Sequence, residues 1–234
     1  MLFPSVIKIV LVFFFTVQDM KTVLADAQDQ EELFDILPPP KGEGPVTDPS
    51  EVASLMVPNT DGKLFPTITR REAHKTGAWH RAIGLWLFTD DLQVVIQKRS
   101  PQKDTNPGKW QMSVAGHVTS GMSVTDTVLN EAQEELGIEL KPNEIEFVGV
   151  TARTERGHTD RFGDFFDNEY KFLFISKISR RNFTFNNLEI SEFAFRDMHE
   201  VFDRFRSRDP AYTPMSEKYI SIAESAILRY LRKC

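Results

Sequence analysis

Residues 116–138 read GHVTSGMSVTDTVLNEAQEELGI, and the conformation of this stretch decides the fold. Glu131, Glu134 and Glu135 stand at i, i+3 and i+4, so a helix puts all three carboxylates on one face. Like charges at that spacing repel by a few tenths of a kcal/mol per pair, and a divalent cation reverses the sign of that cost. Ser123 is the expected N-cap, with Asp126 completing a capping box at the positive end of the helix dipole. Val128, Ala132 and Leu136 recur every four residues as the buried face, and Gly137 is the expected stop. Gln111 to Val118 reads as a short strand, and Gly116 to Gly121 as the loop between strand and helix.

The order strand, glycine-bearing loop, acidic helix resembles the Nudix box, G-x5-E-x7-R-E-U-x-E-E-x-G-U, where U is aliphatic. Gly116, Glu131, Glu134, Glu135, Gly137 and Ile138 fall in register, with Ala132 at the first U. Met122 stands where the family has glutamate, and Asn130 where it has the arginine that holds the next glutamate in place. The resemblance implies an α/β class protein, a Nudix-type α/β/α sandwich on a mixed β-sheet. It also implies a hydrolase of phosphoanhydride bonds that uses Mg²⁺, with Mn²⁺ as the alternative ion. Glu131, Glu134 and Glu135 would hold the metal, with Glu131, Glu134 or Glu169 handling the proton and Gly116 letting backbone approach phosphate.

Outside the box, REAHKTG around His74, WHRAIGLWLF from Trp79, NPGKWQMSVAGH ending at His117 and DNEY from Asp167 resemble the branch that includes type 1 isopentenyl-diphosphate isomerase. In that branch three histidines and two acids hold a divalent metal at positions corresponding to His74, His80, His117, Asp167 and Glu169. Of these, His80, His117 and Asp167 join the expected ligand set. The spacing of His74 from His80 is shifted by a residue, which leaves it outside. The isomerases need a cysteine where this chain has Ala115, and alanine cannot move a proton. The likeness therefore points to isomerase-like hydrolases, which share the Phe-Asp-Ile-Leu start at 34–37 and the Asp-Pro-Ala-Tyr segment at 209–212.

The residues also have plainer readings. A histidine beside apolar neighbours is commonly a hydrogen-bonded packing residue, and His158 and His199 read as surface groups. Asp167 and Glu169 alternate at a strand start and face one side. Arg99 and Lys98 end a strand and are expected to meet phosphate oxygens, with Arg99 the better bidentate donor. Two rival functions remain open: a Nudix-fold module that binds a diphosphate without turnover, and isomerase-like chemistry.

The chain of 234 residues is long enough for one sizeable core, and its hydrophobic and charged fractions of 41% and 26% are ordinary for a globular protein. A net charge of −6 argues against a general nucleic-acid partner. The expected partner is a small-molecule diphosphate, either a nucleoside diphosphate derivative or a related organic diphosphate. Ile9 to Val17 is too short to span a bilayer, and with Val23-Leu24-Ala25 it reads as a secretory signal peptide over 1–25. That predicts entry to the secretory route and no membrane span in the mature form. A start at Met20 would give a cytoplasmic form instead. Cys234 is the only cysteine, so no internal disulfide forms, and Asn182-Phe183-Thr184 is a glycosylation acceptor sequence.

Residues 26–66 read as an extended, proline-marked linker in which 31–37 can dock as a strand or turn, and the domain is expected over 67–234. Arg81 to Phe88 and Leu92 to Lys98 predict a hairpin across Thr89-Asp90-Asp91. Further strands are expected over 144–153, 169–177 and 190–195, and helices over 197–206 and 217–231.

Overall fold

The structure is a computed structural model that describes residues 31–233 apart from 61, 63, 104, 160–162, 180–182, 186 and 187. The expected signal peptide, Asn182 of the acceptor sequence and Cys234 lie outside the described residues.

The centre of the molecule is strand β4 (His80–Phe88), buried along its whole length. Ile83, Leu85 and Leu87 point into one core, and Trp86 and Phe88 into another, so this strand has no solvated face. The first core is closed by helix α3 (Val124–Leu136) through Val124, Val128, Ala132 and Leu136. Its Ser123 hydroxyl accepts from the Asp126 N–H, and Gly137 ends it at φ 63°, as expected from the sequence. The second core is closed by α4 (Met198–Arg206) and α5 (Glu217–Lys233), which contribute Phe202, Phe205, Ile220 and Ile227. Helices on both faces of the sheet make the expected α/β/α sandwich.

Six strands lie in the order β10 (Ile190–Asp197), β5 (Gln93–Arg99), β4, β9 (Gly163–Lys177), β8 (Glu146–Thr159) and β2 (Gly44–Val46). β4 and β9 run parallel and the other neighbours antiparallel, so the sheet is mixed. The expected hairpin forms only at its tip, where Phe88 faces Val94. Beyond that point β4 pairs instead with β7 (Val114–His117), and β5 with β6 (Trp110–Gln111). The single strand expected over 111–118 is therefore broken. Ser113 leaves the ladder, its hydroxyl donating to the Val95 carbonyl at 2.6 Å and accepting from the Leu87 N–H at 2.8 Å.

The larger correction concerns 26–66, which the sequence suggested as a linker. From Glu31 onward the described part is woven into the domain. β1 (Leu33–Asp35) pairs with β3 (Thr67–Thr69), β2 adds an edge strand to β8, and Phe34, Leu37 and Leu55 are buried. Helix α1 (Pro49–Met56) is capped by Asp48 with proline in its first turn. Pro45 sits in an edge strand and Pro49 at a helix start, where no N–H is missed. The fold therefore begins well before residue 67.

Candidate metal centre and acidic cleft

The N-terminal end of β4 carries His80. Strand register places Glu169 of β9 beside it, and His117 of β7 opposite Ala82, two residues further along β4. Asp167 precedes Glu169 by two residues and shares its face. Helix α2 (Arg70–Thr76), capped by Thr69 and ended by Gly77 at φ 73°, brings His74 to the same point. The ligand atoms of His74, His80, His117 and Asp167 all lie within 4.8 Å of one another. Nε2 of His80, His74 and His117 stands 3.3, 3.6 and 3.8 Å from Asp167 Oδ1. Donors bound at about 2.1 Å around one ion are separated by roughly 3.0 to 3.5 Å, so this spacing suits a shared cation.

Two further observations test the fit. The three Nε2 atoms and Asp167 Oδ1 are all buried without a hydrogen-bond partner, a costly arrangement that a bound ion would relieve. His80 Nδ1 lies 2.9 Å from the Ala78 carbonyl. A carbonyl only accepts, so Nδ1 carries the proton and the Nε2 lone pair faces the cluster. The residues present fit a divalent cation.

Electrostatics keep His74, His117, Asp167 and Glu169 in binding form, whereas His80 is pulled toward its protonated form. Burial lowers His117 to about 3 and His74 to about 4, leaving both imidazoles neutral. Burial also pulls on His80, but Asp167 outweighs it and the net shift is upward. Burial raises Asp167 and Glu169 as well. The contacts of Asp167 with His117 and His80 overcome it and hold that acid well below its ordinary value, and the Arg153 guanidinium brings Glu169 to about 2. Phe34 covers the cluster, stacked on His80 with ring centroids 4.8 Å apart. Its strand is anchored below by Asp35, which pairs with the buried Arg81 at 2.5 Å and accepts from Asn59 and Ser120 at 2.6 Å each.

A cleft of about 690 Å³ joins this cluster to the acidic helix, with His117, Asp167, Glu169, Glu131, Glu134 and Glu135 in its walls. The three glutamates share one face as expected, but they do not converge on a point. Among the described residues only the histidine–Asp167 group brings three or more such donors together. The expected ligand set thus divides in two, and His74, left outside it, belongs to the convergent group. Glu135 Oε2 accepts from Gln97 Nε2 at 2.9 Å and from the Ala115 N–H at 3.3 Å. Burial, then the charge of Glu189, push Glu135 up to about 7, and burial with Glu135 and Glu134 raises Glu131 well above the ordinary range.

Gly116 sits against Glu131. A Cβ there would lie 2.2 Å from Glu131 Oε1. Arg99 reaches the cleft, but its guanidinium already donates to the Thr105 carbonyl at 2.9 Å and to Gln111 Oε1 at 3.2 Å. Lys98 is not among the residues lining the cleft: its ammonium lies over the Trp110 ring and 3.9 Å from Glu192. Alternation along β5 turns Lys98 away from Arg99. His158 and His199 are exposed and paired with Asp164 and Glu224, as surface groups. Arg153, Lys171 and Gln97 were missed in sequence, since nothing local marks a strand residue that meets carboxylates across a sheet.

Comparison with known proteins adds five findings. A family model described as NUDIX domain matches residues 78–216. Nudix hydrolase 3 of Arabidopsis thaliana is 31% identical over 147 residues, 62% of this chain and 19% of that protein. Isopentenyl-diphosphate Delta-isomerase of Escherichia coli K12 is 27% identical over 157 residues, 67% of this chain and 83% of that one. The crystal structure of DR0079 from Deinococcus radiodurans superposes with a TM-score of 0.52 at 17% identity, covering 87% of this chain and 99% of that one, and so shares the fold. The chain spans about a fifth of the Arabidopsis relative, and 44% of an uncharacterized Nudix hydrolase of Clostridium acetobutylicum that is 40% identical over 91 residues.

Proposed function

The chain belongs to the Nudix family, and on that premise we propose that it hydrolyses a phosphoanhydride bond in a nucleoside diphosphate derivative or related organic diphosphate, using a divalent cation. The observation that carries this reading is the convergence of four partnerless buried donor atoms beside a cleft walled by three helix carboxylates. The relatives named Nudix hydrolases support the same class.

His74, His80, His117 and Asp167 would hold one cation. Three imidazoles favour a transition ion over Mg²⁺, whereas oxygen ligands such as Glu131 and Glu135 suit Mg²⁺ or Mn²⁺. The chemistry supplied by a bound cation is neutralisation of phosphate charge and acidification of a water. Glu135, held near neutral pKa by burial, is suited to accept a proton at physiological pH, with Glu131 and Glu134 beside it on the same helix. Glu169 is a weaker base than expected from the sequence, because Arg153 keeps it ionised and engaged. Gly116 leaves room for Glu131 and for phosphate, and Arg99 contributes charge at the cleft wall.

Two rivals are kept. Met122 and Asn130, both lining the cleft, lack the charges of the family pattern and favour a module that binds without turnover. The isomerase likeness favours prenyl diphosphate chemistry, against which Ala115 stands. A diphosphate panel assayed for phosphate or nucleotide release, with and without Mg²⁺, Mn²⁺ and Zn²⁺, separates the three. Metal-dependent release supports hydrolysis. Binding without release supports the module, in which case Met122→Glu with Asn130→Arg should raise turnover. Interconversion of isopentenyl and dimethylallyl diphosphate supports the isomerase. Entry to the secretory route remains part of the proposal, and mass spectrometry of the mature N-terminus tests it.

A further inference from the structure

Arg153 is not part of the histidine cluster, yet it touches both acids beside it. Its Nε donates to Glu169 Oε2 at 2.6 Å, and its terminal nitrogen lies 3.6 Å from Asp167 Oδ2. The other oxygen of each acid faces the histidines: Asp167 Oδ1 meets all three Nε2 atoms, and Glu169 Oε1 is 3.5 Å from His117 Nε2. The guanidinium therefore sorts four oxygens into an outer pair turned toward itself and an inner pair turned toward the site. It is fixed from behind by Glu155, whose Oε2 accepts from it at 2.8 Å and whose Oε1 accepts from Asn106 Nδ2 at 3.2 Å. Strand pairing makes the arrangement rigid, since Arg153 faces Glu169 and Glu155 faces Asp167 across the β8–β9 ladder.

We propose that Arg153 is the positioning residue of the metal centre, setting the orientation of Asp167 and Glu169 through a planar fork that a point charge cannot imitate. The proposal rests on the reading of His74, His80, His117 and Asp167 as a cation site. Two effects of the arginine oppose each other. Its positive charge, close to the site, weakens cation binding, whereas its hold on the carboxylates strengthens binding by removing their rotational freedom. Orientation governs here, because both acids are largely buried, Glu169 Oε2 accepts from the arginine, and Asp167 Oδ2 faces it at 3.6 Å.

Arg153→Lys separates the effects, since it keeps the charge and loses the fork. The full chain is stripped with chelator and titrated with Co²⁺, which reports affinity and, through its visible spectrum, ligand geometry. Wild type should bind one ion in the histidine cluster, with the signal abolished in His80→Ala. Arg153→Lys should bind about 10-fold to 100-fold more weakly, with altered band positions and an unchanged metal-free far-ultraviolet circular dichroism spectrum. Glu155→Gln, which leaves the arginine but loosens its hold from behind by removing the carboxylate charge, should weaken binding several-fold. Should Arg153→Lys not fold, Glu155→Gln alone decides. Wild-type affinity and bands in these variants, or tighter binding in Arg153→Gln than in Arg153→Lys, would overturn the proposal while leaving the metal centre intact. If wild type binds no Co²⁺, the metal-centre reading fails and Arg153 has nothing to position.

Discussion

Glu135 holds a proton in the folded state between its ordinary pKa of 4.5 and about 7, a range in which the unfolded chain has already lost it. Its raised pKa therefore makes stability fall as pH rises through that window. Glu135→Gln keeps an oxygen to accept from Gln97 and Ala115 and removes the ionisation. Metal-free variant and parent should have equal stability near pH 4, and the variant should be the more stable by on the order of 2 to 3 kcal/mol at pH 8. The shifted histidines and acids of the metal centre are common to both proteins and cancel. Urea denaturation at the two pH values measures this, and a difference independent of pH would exclude it. At Gly116, the atoms nearest an added Cβ all belong to the Glu131 side chain, Oε1 at 2.2 Å, Cδ at 2.5 Å and Cγ at 3.0 Å. Gly116→Ala should fold with little change in melting temperature and lose on the order of 100-fold in turnover, because the glutamate is displaced by about an ångström. Thermal melting together with kinetics checks both parts. What sequence gave at this scale was the facing of Glu131, Glu134 and Glu135, since helix periodicity is local. It could not give the division between glutamates and histidines, because the convergence of His74 on Asp167 depends on how α2 docks against β9.

Helix α3 was legible residue by residue, because Ser123, Asp126 and Gly137 act within a turn of where they stand. The strand across Met112 and Ser113 was not, because its break is caused by Val95 and Leu87, both distant in sequence. β1 was legible in part: 31–37 was expected to dock as a strand or turn and does, but its partners were not readable, since Asp35 finds Arg81 far along the chain, both at most 2% exposed. The cap of α1 was missed: Asp48-Pro49-Ser50-Glu51 carries a start signal, but the prolines before it led to the reading of a linker. Removing one member of a buried pair leaves an uncompensated charge. Asp35→Ala should therefore cost about 3 to 5 kcal/mol in urea denaturation, and should also loosen Phe34 over the histidines. A loss below about 1 kcal/mol would mean that Arg81 finds another partner.

Across the whole molecule, the sandwich was expected from the resemblance to the Nudix box and from strands interleaved with helices; the structure shows it built on one strand apolar on both faces and helices packed on each side. The domain boundary was misplaced because 31–66 buries few side chains but critical ones: Phe34 over the histidine cluster, and Leu37 and Leu55 in the α3-side core. The same segment covers the histidine cluster through Phe34 and holds the loop before α3 through Ser120, which donates to Asp35. Among the described residues no helix is long and apolar enough to cross a membrane, and the molecule's chemistry is concentrated at one end of the sheet. The most direct test of the account is the initial rate of metal-dependent hydrolysis of the best panel diphosphate by Glu131→Gln beside the parent chain. A fall of about 100-fold or more with the fold retained is predicted for the loss of a group acting in the reaction. A rate equal to the parent's at the same metal concentration would contradict it.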